Sequence, residues 1–284
     1  KEAIERLHHL YSNTDETKSR IRILQILNRL RDSTHFHEIE NYFISDEEPE
    51  VRIEAAKLLA FNYRDKKAIE PLIWVCEKEK DREVKFTALR LMVALAQIRK
   101  DFCEDVLATL RDLLAGPDLH MKMEAASSLG ILEDEGSIEQ LIEALKSGKK
   151  LVKIRVINAL RKISRKEAVP ALLKELKQPS YDVWKSACDA LSSILGLESL
   201  EDMLLERLDD LRANHGNKSA LMKGILKALG EIRSKKAVDT LIDFLGDSRY
   251  QVRWAAIEAL DSIEPRWRKK YSERVRDKVT TIKK

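Results

Sequence analysis

A nine-residue pattern of the form Val-Arg-x-x-Ala-Ala-x-Leu-Leu recurs along the chain, and few folds can accommodate it. Its clearest copies are Val51 to Leu59 (Val-Arg-Ile-Glu-Ala-Ala-Lys-Leu-Leu) and Val252 to Leu260 (Val-Arg-Trp-Ala-Ala-Ile-Glu-Ala-Leu). Further copies begin at Val84, Met121, Val152, Val183 and Leu221, and a weaker one at Ser19. Successive starts lie 31 to 38 residues apart, the range in which arrays are built from one repeated supersecondary unit. A second pattern precedes the first, for example Ala68-Ile69-Glu70-Pro71-Leu72-Ile73 and Ala237-Val238-Asp239-Thr240-Leu241-Ile242. Apolar residues in both fall at i, i+3, i+4 and i+7, a single helical face. Each unit therefore reads as a helical hairpin, helix A followed by helix B. Asp46, Asp81, Asp118 and Asp247 stand just before B helices, where a carboxylate accepts the orphan N–H groups of a first turn.

An isolated amphipathic hairpin leaves its apolar face in water, and only stacking against neighbours covers it. The predicted fold is thus all-α, an α-α superhelix of about eight hairpins. It runs over 1–284 as one array, with B helices starting near 19, 51, 84, 121, 152, 183, 221 and 252. A C-terminal capping helix follows Pro265 and occupies 266–284. Low Gly (9) and Pro (6) contents agree with uninterrupted helices. Alanines at the fifth motif position (Ala55, Ala88, Ala125, Ala187, Ala256) predict close helix approach. Basic residues at the second position (Arg20, Arg52, Lys85, Lys122, Lys153, Arg253) are expected to reach turn carboxylates of neighbouring repeats. Trp184 and Met222 interrupt that ladder, so repeats six and seven are expected to stack differently. Repeats four and seven are longer, which predicts extra A-helix or loop.

These motifs resemble the HEAT repeat, and within it the short subclass first recognised in phycobilisome lyases, Val-Arg-x-x-Ala-Ala-x-Ala-Leu-Gly-x-Ile. Met121 to Leu132 and Leu221 to Ile232 follow that form closely, and the resemblance extends from about Ser19 to Glu264. It implies an armadillo-like α-solenoid that holds another macromolecule, because activity lives in sites grafted onto a fold. Deoxyhypusine hydroxylase resembles this architecture and holds iron between several His-Glu dyads. This chain has one such dyad, His37-Glu38, with no partner dyad elsewhere. Phycobilin lyases and HEAT-like DNA glycosylases share the fold, but their active residues find no one-to-one match here. A lyase role rests on fold analogy alone.

Chemistry-bearing motifs are otherwise absent from the sequence. His35 and His37 are two apart, which on a helix points them to different sides. No Cys or carboxylate is evidently placed to complete a metal shell with them. His8-His9, His120 and His215 read as isolated, so neither metal nor cofactor is expected and no catalytic residue is assigned. Cys76, Cys103 and Cys188 lack CxxC spacing and lie in apolar stretches, as buried thiols in a reducing compartment would. No apolar run approaches the roughly 18 residues of a membrane span. The opening Lys1-Glu2-Ala3 does not read as a signal peptide, and its lack of Met leaves open a longer parent chain. The expected setting is cytoplasmic.

The expected function is a non-catalytic scaffold or adaptor that takes a helix or extended peptide of a partner protein along a concave surface of B helices. Position three of the motif points away from the core and reads Ile21, Ile53, Phe86, Met123, Ile154, Lys185, Lys223 and Trp254. Its five consecutive apolar residues either mark an interface or pack between neighbouring B helices. Lys57 and Arg90, at position seven, would flank it, and Trp184 is a further candidate contact. Charge offers an alternative, nucleic-acid binding. Residues 146–166 contain nine Lys and Arg and no acidic residue until Glu167, among them Lys149, Lys150, Lys153, Arg155, Arg161, Lys162 and Arg165. Residues 266–284 add nine basic against two acidic residues. The net charge of +4 over the whole chain does not by itself demand a polyanion.

Overall fold

The computed structural model describes residues 2–63, 66–99, 103–213 and 219–276. The regular structure in these residues is helical, without strand. Eight hairpins follow one another. They are α1 (Glu2–Ser12) with α2 (Thr17–Arg29), α3 (Phe36–Ser45) with α4 (Pro49–Asn62), α5 (Lys66–Lys78) with α6 (Arg82–Ile98), and α7 (Cys103–Ala115) with α8 (Leu119–Ile131). Then come α9 (Ile138–Ala144) with α10 (Lys150–Ile163), α11 (Val169–Glu175) with α12 (Tyr181–Leu195), α13 (Leu197–Ala213) with α14 (Ser219–Glu231), and α15 (Val238–Phe244) with α16 (Tyr250–Ile263). A short α17 (Trp267–Lys270) closes the order. The added length of repeat seven lies in its A helix, since α13 has 17 residues where α15 has seven.

Backbone contacts divide the chain into two compact units, Lys1–Leu132 and Glu133–Lys284. In the first, B helices α2, α4, α6 and α8 pack in series, and A helices α3, α5 and α7 do the same. In the second, α10 packs on α12 and α14 on α16. The core is the ninth motif position: Leu27, Leu59, Met92, Leu129, Leu160, Leu191, Leu229 and Leu260 are at most 1% exposed. Burying each such side chain contributes roughly 1.5–3 kcal/mol. The fifth position, with its alanines, is buried beside it.

Turn chemistry is as local as the sequence implied, with one refinement. Asp81 caps α6 by accepting the Glu83 and Val84 N–H groups, and Asp118 caps α8 through those of His120 and Met121. Asp46 and Asp247 each sit two residues before the formal cap and brace the turn instead, accepting the N–H of Glu48 (3.0 Å) and Arg249 (2.9 Å). A different turn recurs after three B helices. Arg31, Glu133 and Arg233 adopt positive φ of 53°, 53° and 52°, and each is followed by a buried Asp32, Asp134 or Ser234. These side chains accept the N–H of Thr34 (3.0 Å), Gly136 (3.2 Å) and Ala237 (3.1 Å) at the start of the next A helix.

The expected ladder of basic residues forms in part. Arg20 bonds Asp46 at 2.8 Å, Arg52 lies 3.1 Å from Glu79, and Lys153 bonds Glu175 at 2.7 Å. Arg253 instead donates to the carbonyls of Asp247 and Ser248 in its own turn. Trp184 replaces the rung in repeat six: its indole N–H donates to the Gly224 carbonyl at 3.1 Å. A Cβ on Gly224 would lie 1.8 Å from the Leu176 carbonyl oxygen, so α14 approaches the end of α11 as only glycine permits. Repeats six and seven do therefore stack differently from the others.

Candidate partner-binding site on the B helices

In the first unit, the third-position residues Ile21, Ile53, Phe86 and Met123 are all half-buried. Lys57 is half-buried and bonded to Glu54 at 3.0 Å, whereas Arg90 is exposed. The apolar stripe is thus partly covered rather than a bare groove.

The second unit differs. Ile154 is half-buried there, but Trp254 is 49% exposed. Tyr181 and Tyr250, at the starts of α12 and α16, are 64% and 65% exposed. Tyr250 stacks on Trp254 with ring centroids 6.2 Å apart, and the Trp254 indole donates to Glu258 at 2.8 Å. Tyr181 leans on Trp184 at 5.8 Å. Beside the Tyr181–Trp184 pair lies a groove of about 250 Å³, bounded by Tyr181, Trp184, Lys223, Gly224, Lys227 and Gln251. A shallower one continues past Lys227 to Glu231 and Glu258. The B-helix face of this unit therefore presents exposed amphipathic aromatic rings, the residue type enriched in interface anchors, with lysines at their side.

Two of the expected contact residues change role. Trp184 is only 5% exposed, so its ring forms the floor of the groove and holds α14 rather than projecting to a partner. Lys185 is half-buried and bonds Glu231 (2.6 Å) and Asp189 (3.2 Å), and the Glu231 bond foremost raises its pKa. Tyr181 and Tyr250 are not apparent from the motif because they lie two residues before it. The signal was their equivalence: Tyr181-Asp182-Val183 and Tyr250-Gln251-Val252 begin alike. Trp74, on the A helix α5 of the first unit, is 46% exposed.

The basic run 146–166 is partly neutralised. Lys153 pairs with Glu175, Lys150 with Asp182, Arg165 with Glu135 and Lys146 with Glu143. Among the described residues, Lys149, Arg155, Arg161 and Lys162 are exposed without an acidic partner. Near the C-terminus, Arg268 bonds Asp261, Lys270 bonds Glu264, and Arg274 bonds Asp239. Trp267 is buried to 2% and donates to Asp261 at 2.8 Å, anchoring the cap. Residues 277–284 of the expected cap lie outside the described residues.

The histidines require a correction. His8, which read as isolated, and His35, which read as one of a helix pair with His37, come together on Asp32, a carboxylate that the spacing gave no reason to consider. His8 Nε2 lies 2.8 Å from Asp32 Oδ2, and His35 Nδ1 lies 3.1 Å from the same oxygen. His35 is not inside a helix but stands before α3 as its N-cap residue. Tertiary packing of α1 on the α2–α3 turn makes this cluster across 24 residues of sequence. Burial of Asp32 opposes its ionisation, but hydrogen bonds from His8, the Thr34 N–H, His35 and the Thr34 hydroxyl outweigh that and bring its pKa down to about 2. Cys76 and Cys188 are buried free thiols whose pKa burial pushes up to about 12, which leaves them unreactive.

The family model for HEAT repeats matches residues 36–130, 138–222 and 212–280. The model for the PBS lyase HEAT-like repeat matches residues 121–147. These helical hairpins define an α-repeat protein, and the chain belongs to the HEAT-repeat family. No curated protein matches it. Among solved structures it is similar to YibA of Escherichia coli, at 17% identity and a TM-score of 0.53, over 92% of each chain. Importin beta is similar at 14% identity and a TM-score of 0.53, over 94% of this chain and 41% of that one. The complex of CpcE and CpcF of phycocyanin lyase from Nostoc sp. aligns at 20% identity with a TM-score of 0.47, over 89% of this chain and 95% of that one. At such identities the likeness speaks to the fold alone, which in general serves as a scaffold for protein interactions. No helix among the described residues is long and apolar enough to cross a membrane.

Proposed function

We propose that this chain is a non-catalytic scaffold that binds a partner protein on the B-helix face of its second unit, with Tyr181, Tyr250 and Trp254 as anchors. The observation that carries the reading is the exposure of these three rings on the B helices α12 and α16, with a groove of about 250 Å³ beside Tyr181, Lys223 and Lys227. Large aromatics left in water on a helix face gain most when a partner covers them. Lys227 pairs with Glu258 at 3.6 Å, so it is Lys223 that favours a helix or extended segment carrying an acidic side chain beside its apolar ones. In the first unit, Ile21, Ile53, Phe86 and Met123 offer less free surface, with Arg90 at their edge. The buried thiols fit a reducing, cytoplasmic setting.

Affinity capture tests this with the intact chain as bait, compared with a Tyr181→Ala, Trp254→Ala double variant that keeps the wild-type circular dichroism. A partner held by wild type should bind the variant at least about tenfold more weakly, the usual effect of removing an aromatic anchor. Equal binding by both would remove this face from the proposal. Nucleic-acid binding is a second reading, supported by exposed Lys149, Arg155, Arg161 and Lys162 on one B helix. It requires retardation of a nucleic acid that weakens steeply with salt; absence of retardation at low salt excludes it.

A further inference from the structure

Two of the chain's six histidines converge on one turn of the first unit, and the turn itself does not need them. Its equivalents after α8 and α14 are held by a buried Asp134 and Ser234, which accept the N–H groups of Gly136 and Ala237 at the start of the next repeat. In the first unit that work falls to one oxygen of Asp32: Oδ1 accepts the Thr34 N–H at 3.0 Å and the Thr34 hydroxyl at 2.9 Å. The other oxygen, Oδ2, faces His8 Nε2 at 2.8 Å and His35 Nδ1 at 3.1 Å. His35 Nδ1 also lies 2.9 Å from the Thr34 hydroxyl and 3.2 Å from Asp32 Oδ1.

The cluster is enclosed but not sealed. Asp32 is 1% and His8 7% exposed, while the His35 side chain keeps 19% of its surface in water. The imidazole rings lie 4.3 Å apart, tilted by 31°. Tyr42 stands 3.2 Å from His8 Nδ1, on the far side of the ring from Asp32, and stacks on Tyr11 at 3.8 Å. With a metal bound, Nδ1–H would donate to the Tyr42 hydroxyl, the outer hydrogen bond that aims such an imidazole, with Nε2 as the ligand atom.

We propose that His8, Asp32 and His35 form a binding site for one divalent transition-metal ion, zinc foremost, which fastens α1 to the α2–α3 turn. Two imidazole nitrogens and one carboxylate oxygen are the ligand types zinc selects, and three protein ligands leave one position for water at the exposed His35 edge. The three ligand atoms lie within 4.8 Å of one another. A tetrahedral ion at about 2.0 Å from each would set them roughly 3.3 Å apart. Both nitrogen–oxygen distances are already within about half an ångström of that spacing, so binding needs mainly a closing of the two imidazole nitrogens.

The test uses the full chain without a histidine tag, titrated with zinc against a chromophoric chelator. One zinc per chain at micromolar affinity or tighter is expected, together with a rise in the thermal unfolding midpoint when zinc is in excess. Because His8→Ala empties a buried position and can unfold α1, the deciding variant is the more accessible His35→Ala. That variant should bind zinc at least about tenfold more weakly, whereas His37→Ala, on an exposed neighbour, should bind as wild type does. Cobalt(II) in place of zinc should give the visible absorption of a low-coordinate nitrogen and oxygen site, lost in His35→Ala. Wild-type protein that takes up no zinc at micromolar concentration, or affinity unchanged by His35→Ala, overturns the proposal. The outcome is independent of the aromatic face of the second unit.

Discussion

Gly224 is where backbone geometry leaves the least choice of residue. Its Cα hydrogen faces the Leu176 carbonyl, and an added Cβ would meet that oxygen at 1.8 Å. The obstacle is backbone, which cannot rotate aside. Gly224→Ala should therefore separate α14 from the end of α11 and disturb the Trp184 to Gly224 hydrogen bond. The expected cost is about 1–3 kcal/mol, despite the higher helix propensity of alanine. Chemical denaturation of the pure variant checks it; a stability equal to or above wild type would contradict the close approach. The same scale holds Trp184, which the sequence marked as an oddity at a basic position. The structure explains it as a buried hydrogen-bond donor that replaces an ion-pair rung.

At the scale of the element, the turns between A and B helices carry electrostatic information. Burial works against the Asp247 carboxylate, but the Arg249 side chain and N–H outweigh it and hold its pKa below the ordinary 3.8. A depressed carboxylate stabilises the folded state above the unfolded value and loses that contribution as pH falls through the folded one. Asp247→Asn should thus lower stability near neutral pH by about 1 kcal/mol, the scale of a lost hydrogen bond. The difference from wild type should shrink progressively below pH 3.8. Denaturant midpoints of the two proteins at neutral pH and at several acidic values give the comparison. A gap that stays constant into acid would show that the charge of Asp247 contributes nothing. Asp81 and Asp118, true caps of α6 and α8, were legible as such because N-cap chemistry depends only on nearby chain. That Asp46 and Asp247 brace the turn two residues before the cap was not legible, since turn length shifts with how each A helix ends.

On the scale of the molecule, every repeat is stabilised by its neighbours, so damage should stay local. Leu59 is fully buried on α4, which packs against α2 and α6. Leu59→Ala should cost about 2–5 kcal/mol. Hydrogen exchange should show lost protection in α2 to α6 well before any loss in α16. Uniform loss of protection in all helices would mean a single cooperative block instead. The two compact units, each with its own buried motif residues, are the physical setting for that expectation.

The sequence by itself determined the hairpins, their register and their family. These follow from a helical period and a repeat length, and both are local properties written into every copy of the motif. It also exposed the irregular repeats, since a tryptophan or methionine at a basic position breaks the pattern visibly. What only the tertiary structure decided lies between copies. Tyr181 came to border a groove with Lys223 and Gly224 of α14, and three of the nine basic residues in 146–166 met carboxylates from other elements. His8, Asp32 and His35 met because α1 folds back on the α2–α3 turn. A periodic pattern specifies which face of each helix is apolar, but the meeting of single polar side chains depends on angles and distances that no one repeat contains.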